Sequence, residues 1–310
     1  MREKQLASRF SKKLKPKDYI FHCLNIMIFA LITLICIYPF YYLIINTISN
    51  NDMSSQGDII FLPREIHFQN YVQILKLNGL LTAAWISFAR TALGTTLTVL
   101  ASSFLGFMFT QPKLWGRKFW YRYIVITMYF NAGLIPLYIT MNNLNLVNNF
   151  WVYIVPMIVQ PFFIILVKTF LESLPASLQE AAEIDGAGTL RIFFQVIFPL
   201  SMPILATIAV FSAVTQWNSF QDTLVYVTDQ KLFPLQYVLY QYINQANSLA
   251  QLIKGSTGMS TAAMQSLATQ QTPTSVRMTV SVIVVLPILL VYPFFQRFFT
   301  KGIMLGAVKG

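Results

Sequence analysis

The 310-residue chain has eleven acidic residues, and one short run gathers three of them: Glu180-Ala181-Ala182-Glu183-Ile184-Asp185-Gly186-Ala187. Its pattern suits docking better than bond breaking. Ser177 followed three residues later by Glu180 predicts a capping box, with the hydroxyl accepting first-turn amides while the carboxylate reaches back. Leu178, Ala181, Ala182 and Asp185 then fall on one helical face, and Gly186 supplies a left-handed stop. Thr189 is expected to cap a second helix in which Leu190, Phe193, Phe194 and Ile197 recur at helical spacing, with Pro199 ending it. Two short helices about a glycine turn make a compact knob whose small-residue face another protein can approach closely. The plainer alternative is a hairpin that only links two membrane spans.

No other constellation promises a reaction. Paired carboxylates and a His-Glu-x-x-His helix are both missing, so no catalytic residue is assigned. His22 and His67 are isolated, and no metal site is readable. Lys254-Gly255-Ser256-Thr257 has the wrong order for a phosphate loop, so any energy must come from a partner. Cys23 and Cys36 lie thirteen residues apart in one span, too far at ~1.5 Å per residue to bridge.

Polar residues inside spans are costly in lipid and therefore informative. Asn131 and Gln160 fall near the middle of the third and fourth spans, where they either bond across helices or line a path. Gln216, Trp217, Asn218 and Asp222 cluster at the outer end of the fifth. Trp217 there reads as an interfacial anchor. It also reads as an aromatic face beside amide and carboxylate groups, the arrangement that grips sugars. The plain reading of Arg90, in the outer part of the second span, is snorkelling to headgroups.

The elements that must position these groups are apolar helices. With 55% hydrophobic residues, 11% charged and a mean hydropathy of +0.57, the chain departs from the roughly 25% charged of soluble domains and points to an integral membrane protein. Apolar runs at about 20–48, 80–109, 119–141, 150–170, 200–220 and 276–299 predict an all-α protein of six transmembrane helices. The first is too long for a signal peptide and lacks a small-residue cleavage site. Six spans put both termini on one side. Sixteen of the 22 Lys and Arg fall on the side of the termini and the knob, against four in the opposite loops, so both termini and the knob are expected to be cytoplasmic. The +11 charge is thus a topology signal, not a mark of nucleic-acid binding. The resulting division is a basic arm over 1–18, a six-helix domain over 19–300 and a tail over 301–310. Within the domain lie the knob region 174–199 and a long outer loop 222–275.

The knob's spacing, Glu-Ala-Ala, three residues, Gly, then helix and Pro, resembles the EAA motif of ABC-importer membrane subunits. Val196 and Phe198 stand where that family usually has Ile and Leu. Gly133-Leu134-Ile135-Pro136, Trp217-Asn218, Leu232-Phe233-Pro234-Leu235-Gln236 and the tail from Lys301 to Gly310 look like carbohydrate-uptake permeases. They are similar to the MalG-like subunits and, among these, to the LplC-type oligosaccharide branch. The resemblance implies a type I importer permease fold in a bacterial plasma (inner) membrane. It implies a second homologous permease, two ATPase subunits carrying ATP and Mg, an extracellular sugar-binding protein and an oligosaccharide substrate. It assigns ATPase coupling to Glu180, Ala181, Ala182, Asp185 and Gly186, and ATPase contact to Lys309 and Gly310. An ion-coupled secondary transporter or channel is the alternative. It predicts intramembrane carboxylates, and Asp222 alone lies near a span.

Overall fold

The computed structural model describes residues 16–76, 79–255 and 273–302, so the basic arm before 16, the segment 256–272 and the tail with Lys309 and Gly310 lie outside the described residues. Among these residues every regular element is helical. Helix α1 (Pro16–Thr47) is followed by two short helices, α2 (Asn51–Gln56) and α3 (Gln69–Leu75), and then by α4 (Leu80–Met108). α5 (Arg117–Tyr129) and α6 (Leu134–Asn143) follow, then 3-10 turns over Phe150–Tyr153 and Val155–Met157, and α7 (Pro161–Glu172). The knob is α8 (Ser177–Ile184), α9 (Thr189–Ile192), a π-helical segment (Phe193–Ile197) and α10 (Phe198–Leu200). α11 (Met202–Asn218), α12 (Gln221–Tyr226), a 3-10 turn over Gln230–Leu232, α13 (Leu235–Gly255) and α14 (Pro273–Gly302) are the remaining elements among the described residues.

The 29-residue stretch Tyr19–Thr47 of α1 and the 29-residue α4 are long and apolar enough to cross a membrane unbroken. Three bent helix pairs are together long and apolar enough for a broken span or a re-entrant loop. α5 and α6 meet at 120°, the 3-10 segment and α7 at 44°, and the α9–α10 run and α11 at 79°. By length and composition this gives up to five crossings among the described residues, and α14, whose stretch Thr274–Leu290 is a shorter apolar helix, stands where the sixth apolar run was expected. Their straightness was not legible, and proline explains much of the difference. Pro161 opens α7 and Pro203 lies at the start of α11, first-turn positions where a missing N–H costs nothing. Pro199 does not end its helix as expected. The π segment ahead of it shifts the Phe198 amide to the Phe193 carbonyl, and this wider turn carries the chain past the proline ring.

α4 is the hub, packed on α7, α11 and α13, while α14 gathers α1, α2, α3, α11 and α13. Close approach to α7 rests on Gly106, where a Cβ would fall 2.7 Å from Val167 Cγ1. At the knob end, Phe107, Val167, Leu171, Phe193, Ile197 and Ile208 form one buried cluster. At the far end, Ile74, Leu80, Ala83, Leu235, Leu239, Val280 and Val284 form another. The region 222–275, expected to be a loop, instead begins with α12 and holds the 21-residue α13. Its Gln-, Ser- and Ala-rich composition hid apolar residues at 235, 239, 242 and 243, which pack as a helical stripe on that cluster.

Candidate functional site

The knob is built from its backbone. α8 starts on a turn in which the Leu178 amide donates to the Pro175 carbonyl at 3.2 Å and the Gln179 and Glu180 amides to Ala176 at 3.0 and 3.1 Å. The predicted capping box is therefore not made: the cap position is Ala176, and Ser177 already lies inside the first turn. Thr189 is likewise the first helical residue, behind Gly188. The stop at Gly186 takes φ 79°, with the Ala187 amide on Ala182 O and the Gly186 amide on Glu183 O, both at 3.0 Å. This two-bond closure satisfies the last carbonyls of α8 and needs a residue without a Cβ penalty.

The same geometry sorts the motif's side chains. Ala182 packs on the cluster below, whereas Glu180, Ala181, Asp185 and Gly186 are exposed. Ile184 is 86% exposed, and Leu190 and Phe194 add further open apolar surface. Phe193 anchors the knob from beneath, its ring 5.4 Å from Phe107 and 5.5 Å from Phe104 of α4. Lys113 reaches Glu183 at 3.0 Å and Gln111 reaches Gln179 at 3.2 Å, tying α8 to the segment after α4. The result is a rigidly seated protrusion with carboxylates and bare apolar side chains facing outward.

The half of α4 away from the knob holds a polar knot. Arg90 is buried, and its Nε and Nη2 donate to Gln216 Oε1 at 3.3 and 3.2 Å. Nη1 donates to Ser219 O at 3.3 Å and Asp222 Oδ1 at 3.4 Å, and Nη2 donates to Asp222 Oδ2. The guanidinium lies 4.3 Å from the Tyr153 ring centroid, and Gln216 Nε2 donates to Tyr153 O at 3.2 Å. Every guanidinium nitrogen has an acceptor, so this charge does not snorkel. The missed signal was an Arg and an Asp at similar depth near the ends of two spans, where opposite charges pair. Gly94 permits the fit, since a Cβ there would meet Gln216 Nε2 at 2.6 Å.

Residues 98–221 match the family described as binding-protein-dependent transport system inner membrane component. The chain is 32% identical over 294 residues to the polygalacturonan/rhamnogalacturonan transport system permease protein YtcP of Bacillus subtilis, covering 95% of this chain and 100% of that protein. The chain belongs to this family of ABC-importer permeases. Protein LplC of the same organism is 31% identical, across 94% of this chain and 95% of its own. A crystal structure of a bacterial ABC transporter involved in the import of the acidic polysaccharide alginate superposes with a TM-score of 0.77 at 28% identity, over 93% of this chain and 100% of the other. The protein is thus a multi-pass inner-membrane transport permease.

Within this permease each polar residue predicted near a path has a partner of its own. Asn131 sits in the 120° break between α5 and α6, exposed, where its Oδ1 accepts the Gly133 amide at 2.9 Å. It is not in mid-helix, because Gly133 and the extended Phe130 stop the helix there. Gln160, half-buried ahead of Pro161, turns back so that Nε2 lies 3.2 Å from Met157 Sδ. Trp217 Nε1 donates to Val284 O of α14 at 3.0 Å, and Asn218 Nδ2 to Val214 O at 3.0 Å. Asp222, expected to face a substrate, faces Arg90. The carboxylate that the ion-coupled alternative relied on is therefore already engaged.

Proposed function

We propose that this permease carries oligosaccharides from an extracellular sugar-binding protein into the cytoplasm, driven by ATP hydrolysis on separate subunits. The observation that carries the reading is the knob: a rigidly seated protrusion presenting Glu180, Ala181, Asp185 and the 86% exposed Ile184 to a partner. In the assembled importer two ATPases, holding ATP and Mg, receive this protrusion and that of a second homologous permease. This chain binds no nucleotide, and the tail ending Lys309-Gly310 reaches between the ATPases. The polygalacturonan, rhamnogalacturonan and alginate named for its relatives support a carbohydrate cargo. Asn131, Gln160 and Asn218 border the path, while Trp217 and Asp222 shape it from behind through α14 and Arg90.

Alternating access follows if the loaded binding protein and ATP-bound partners each prefer one orientation of the bundle, since a ligand without such preference drives nothing. The test is purification of the permease from its native membrane, followed by uptake in proteoliposomes. Co-purification of an ATPase and sugar uptake that stops without ATP support the reading. Autonomous uptake driven by an ion gradient would replace it with the secondary-transporter alternative. Orientation is read by thiol labelling in a background lacking Cys23 and Cys36. With both termini cytoplasmic, Gly188→Cys is shielded from an impermeant reagent in intact cells and Ser55→Cys reacts.

A further inference from the structure

A cleft of about 210 Å3 opens at the end of α4 remote from the knob, where α4 meets α13 and the turn before it. Its floor is apolar and fixed: Leu80 and Ala83 are buried in the cluster that joins α3, α4, α13 and α14. Val238, Gln241, Tyr242 and Gln245 follow one another at helical spacing on α13, so a single face of that helix forms one wall. Gln230 and Phe233 close the opposite side. Two aromatic rings and three primary amides therefore converge on one small opening. Among the described residues, the amides of Gln230, Gln241 and Gln245 make no side-chain hydrogen bond.

We infer that this cleft is a binding subsite for one residue of an uncharged oligosaccharide on the outer face of the permease. Each amide offers a donor pair and an acceptor, the combination that matches neighbouring sugar hydroxyls. Phe233 and Tyr242 supply apolar faces for the ring's C–H groups. The volume is below the roughly 300–1,000 Å3 of pockets that enclose drug-sized ligands, which limits the occupant to about one pyranose at a chain end. Among the described residues, no carboxylate, ammonium or guanidinium lines the cleft. Asp229 and Lys231 flank Gln230 from outside the lining, with Asp229 Oδ1 accepting the Lys231 amide at 2.9 Å. A uronate carboxylate entering here would lose water without gaining a charged partner. Burial also raises the Tyr242 phenol above its usual range, which keeps it a neutral donor. Selection for neutral sugars sets this chain apart from the named acidic polymers of its relatives, and it rests on the carbohydrate reading above.

The test uses the purified importer complex in lipid nanodiscs and saturation-transfer NMR. The probes are neutral tetrasaccharides of glucan, xylan, mannan, galactan and arabinan, with tetragalacturonate as the charged probe. At least one neutral probe is expected to bind. Val238→Trp, which fills the cleft without removing a polar group, should abolish that signal. The pair Gln241→Leu and Gln245→Leu should weaken binding about tenfold through two lost hydrogen bonds. Gln245→Ala alone, at an exposed position, is a milder variant that leaves the fold untouched. Signals from neutral probes that survive Val238→Trp, no neutral binding at all, or equal cleft-dependent binding of tetragalacturonate would overturn the subsite. If ATPase co-purification and uptake persist in that case, only the subsite falls. If no ATPase associates, the importer reading falls with it.

Discussion

In the first half of α4, Arg90 is 1% exposed with every guanidinium nitrogen bonded, while beyond the C-terminal end of the helix Lys113 and Glu183 meet at 3.0 Å with side chains 73% and 45% exposed. Arg90 lies 18 residues before the helix ends at Met108, roughly 27 Å at ~1.5 Å per residue, so the two pairs are well separated along the bundle. The difference is one of purpose as well as energy. A buried pair that loses one partner strands a charge, at about 3–5 kcal/mol, whereas an exposed pair contributes ~0–1 kcal/mol and exchanges partners readily. The knot ties α4 to the end of α11 and the start of α12. The knob keeps the carboxylates of Glu180 and Asp185 exposed, as the proposed docking of an ATPase requires.

The sharpest way to break this contrast is at the knot. Arg90→Ala leaves Asp222 and Gln216 without their shared donor and is expected to destabilise the assembled permease by about 3–5 kcal/mol. Adding Asp222→Ala to it should recover part of that loss. Thermal unfolding of the purified complex reads both, and a single-variant cost below about 1 kcal/mol would make the knot no different from a surface pair. Gly94→Val tests the same region through packing. Its Cβ falls 2.6 Å from a Gln216 amide already bonded to Tyr153 O, and overpacking of this kind costs about 1–3 kcal/mol.

At the knob the expected stability effects shrink while functional effects grow. Glu180 is exposed in the first turn of α8, where its helix-dipole contribution is ~0.3–1 kcal/mol. Glu180→Ala should therefore leave unfolding nearly unchanged yet lower sugar-stimulated ATP hydrolysis in proteoliposomes. Parallel losses in both would mean that Glu180 serves folding alone. Lys113→Ala is the smallest perturbation, worth ~0.2–1 kcal/mol and screened by salt, so its effect should vanish above physiological ionic strength.

How much of this was readable from residue types follows the same division. The EAA spacing, the glycine stop and the apolar runs are local, and each appears where the pattern placed it. The capping box failed because the carbonyls of Pro175 and Ala176, two and one residues before Ser177, already take the first-turn amides that its hydroxyl was expected to accept. The helix breaks at Asn131 and Gln160 were hidden because hydropathy counts apolar residues and is blind to bends. The Arg90 knot joins positions 90, 153, 216 and 222, and no periodicity links residues that far apart. α13 was concealed by composition, since one apolar stripe suffices to seat a helix whose other faces are Gln and Ser.

The central claim, that the knob is where the ATPase docks, is tested most directly by two matched glycines. Gly186 and Gly57 have φ of 79° and 84°, and a Cβ at either would meet nothing within 4 Å. Valine imposes the same backbone strain at each, about 1–2 kcal/mol, on the knob in one case and in the segment after α1 in the other. Permease carrying each variant is immobilised, and the fraction of ATPase retained is measured. The account predicts that Gly186→Val loses most of the ATPase while Gly57→Val retains it at the wild-type level. Equal retention by both variants, or equal loss, would contradict it.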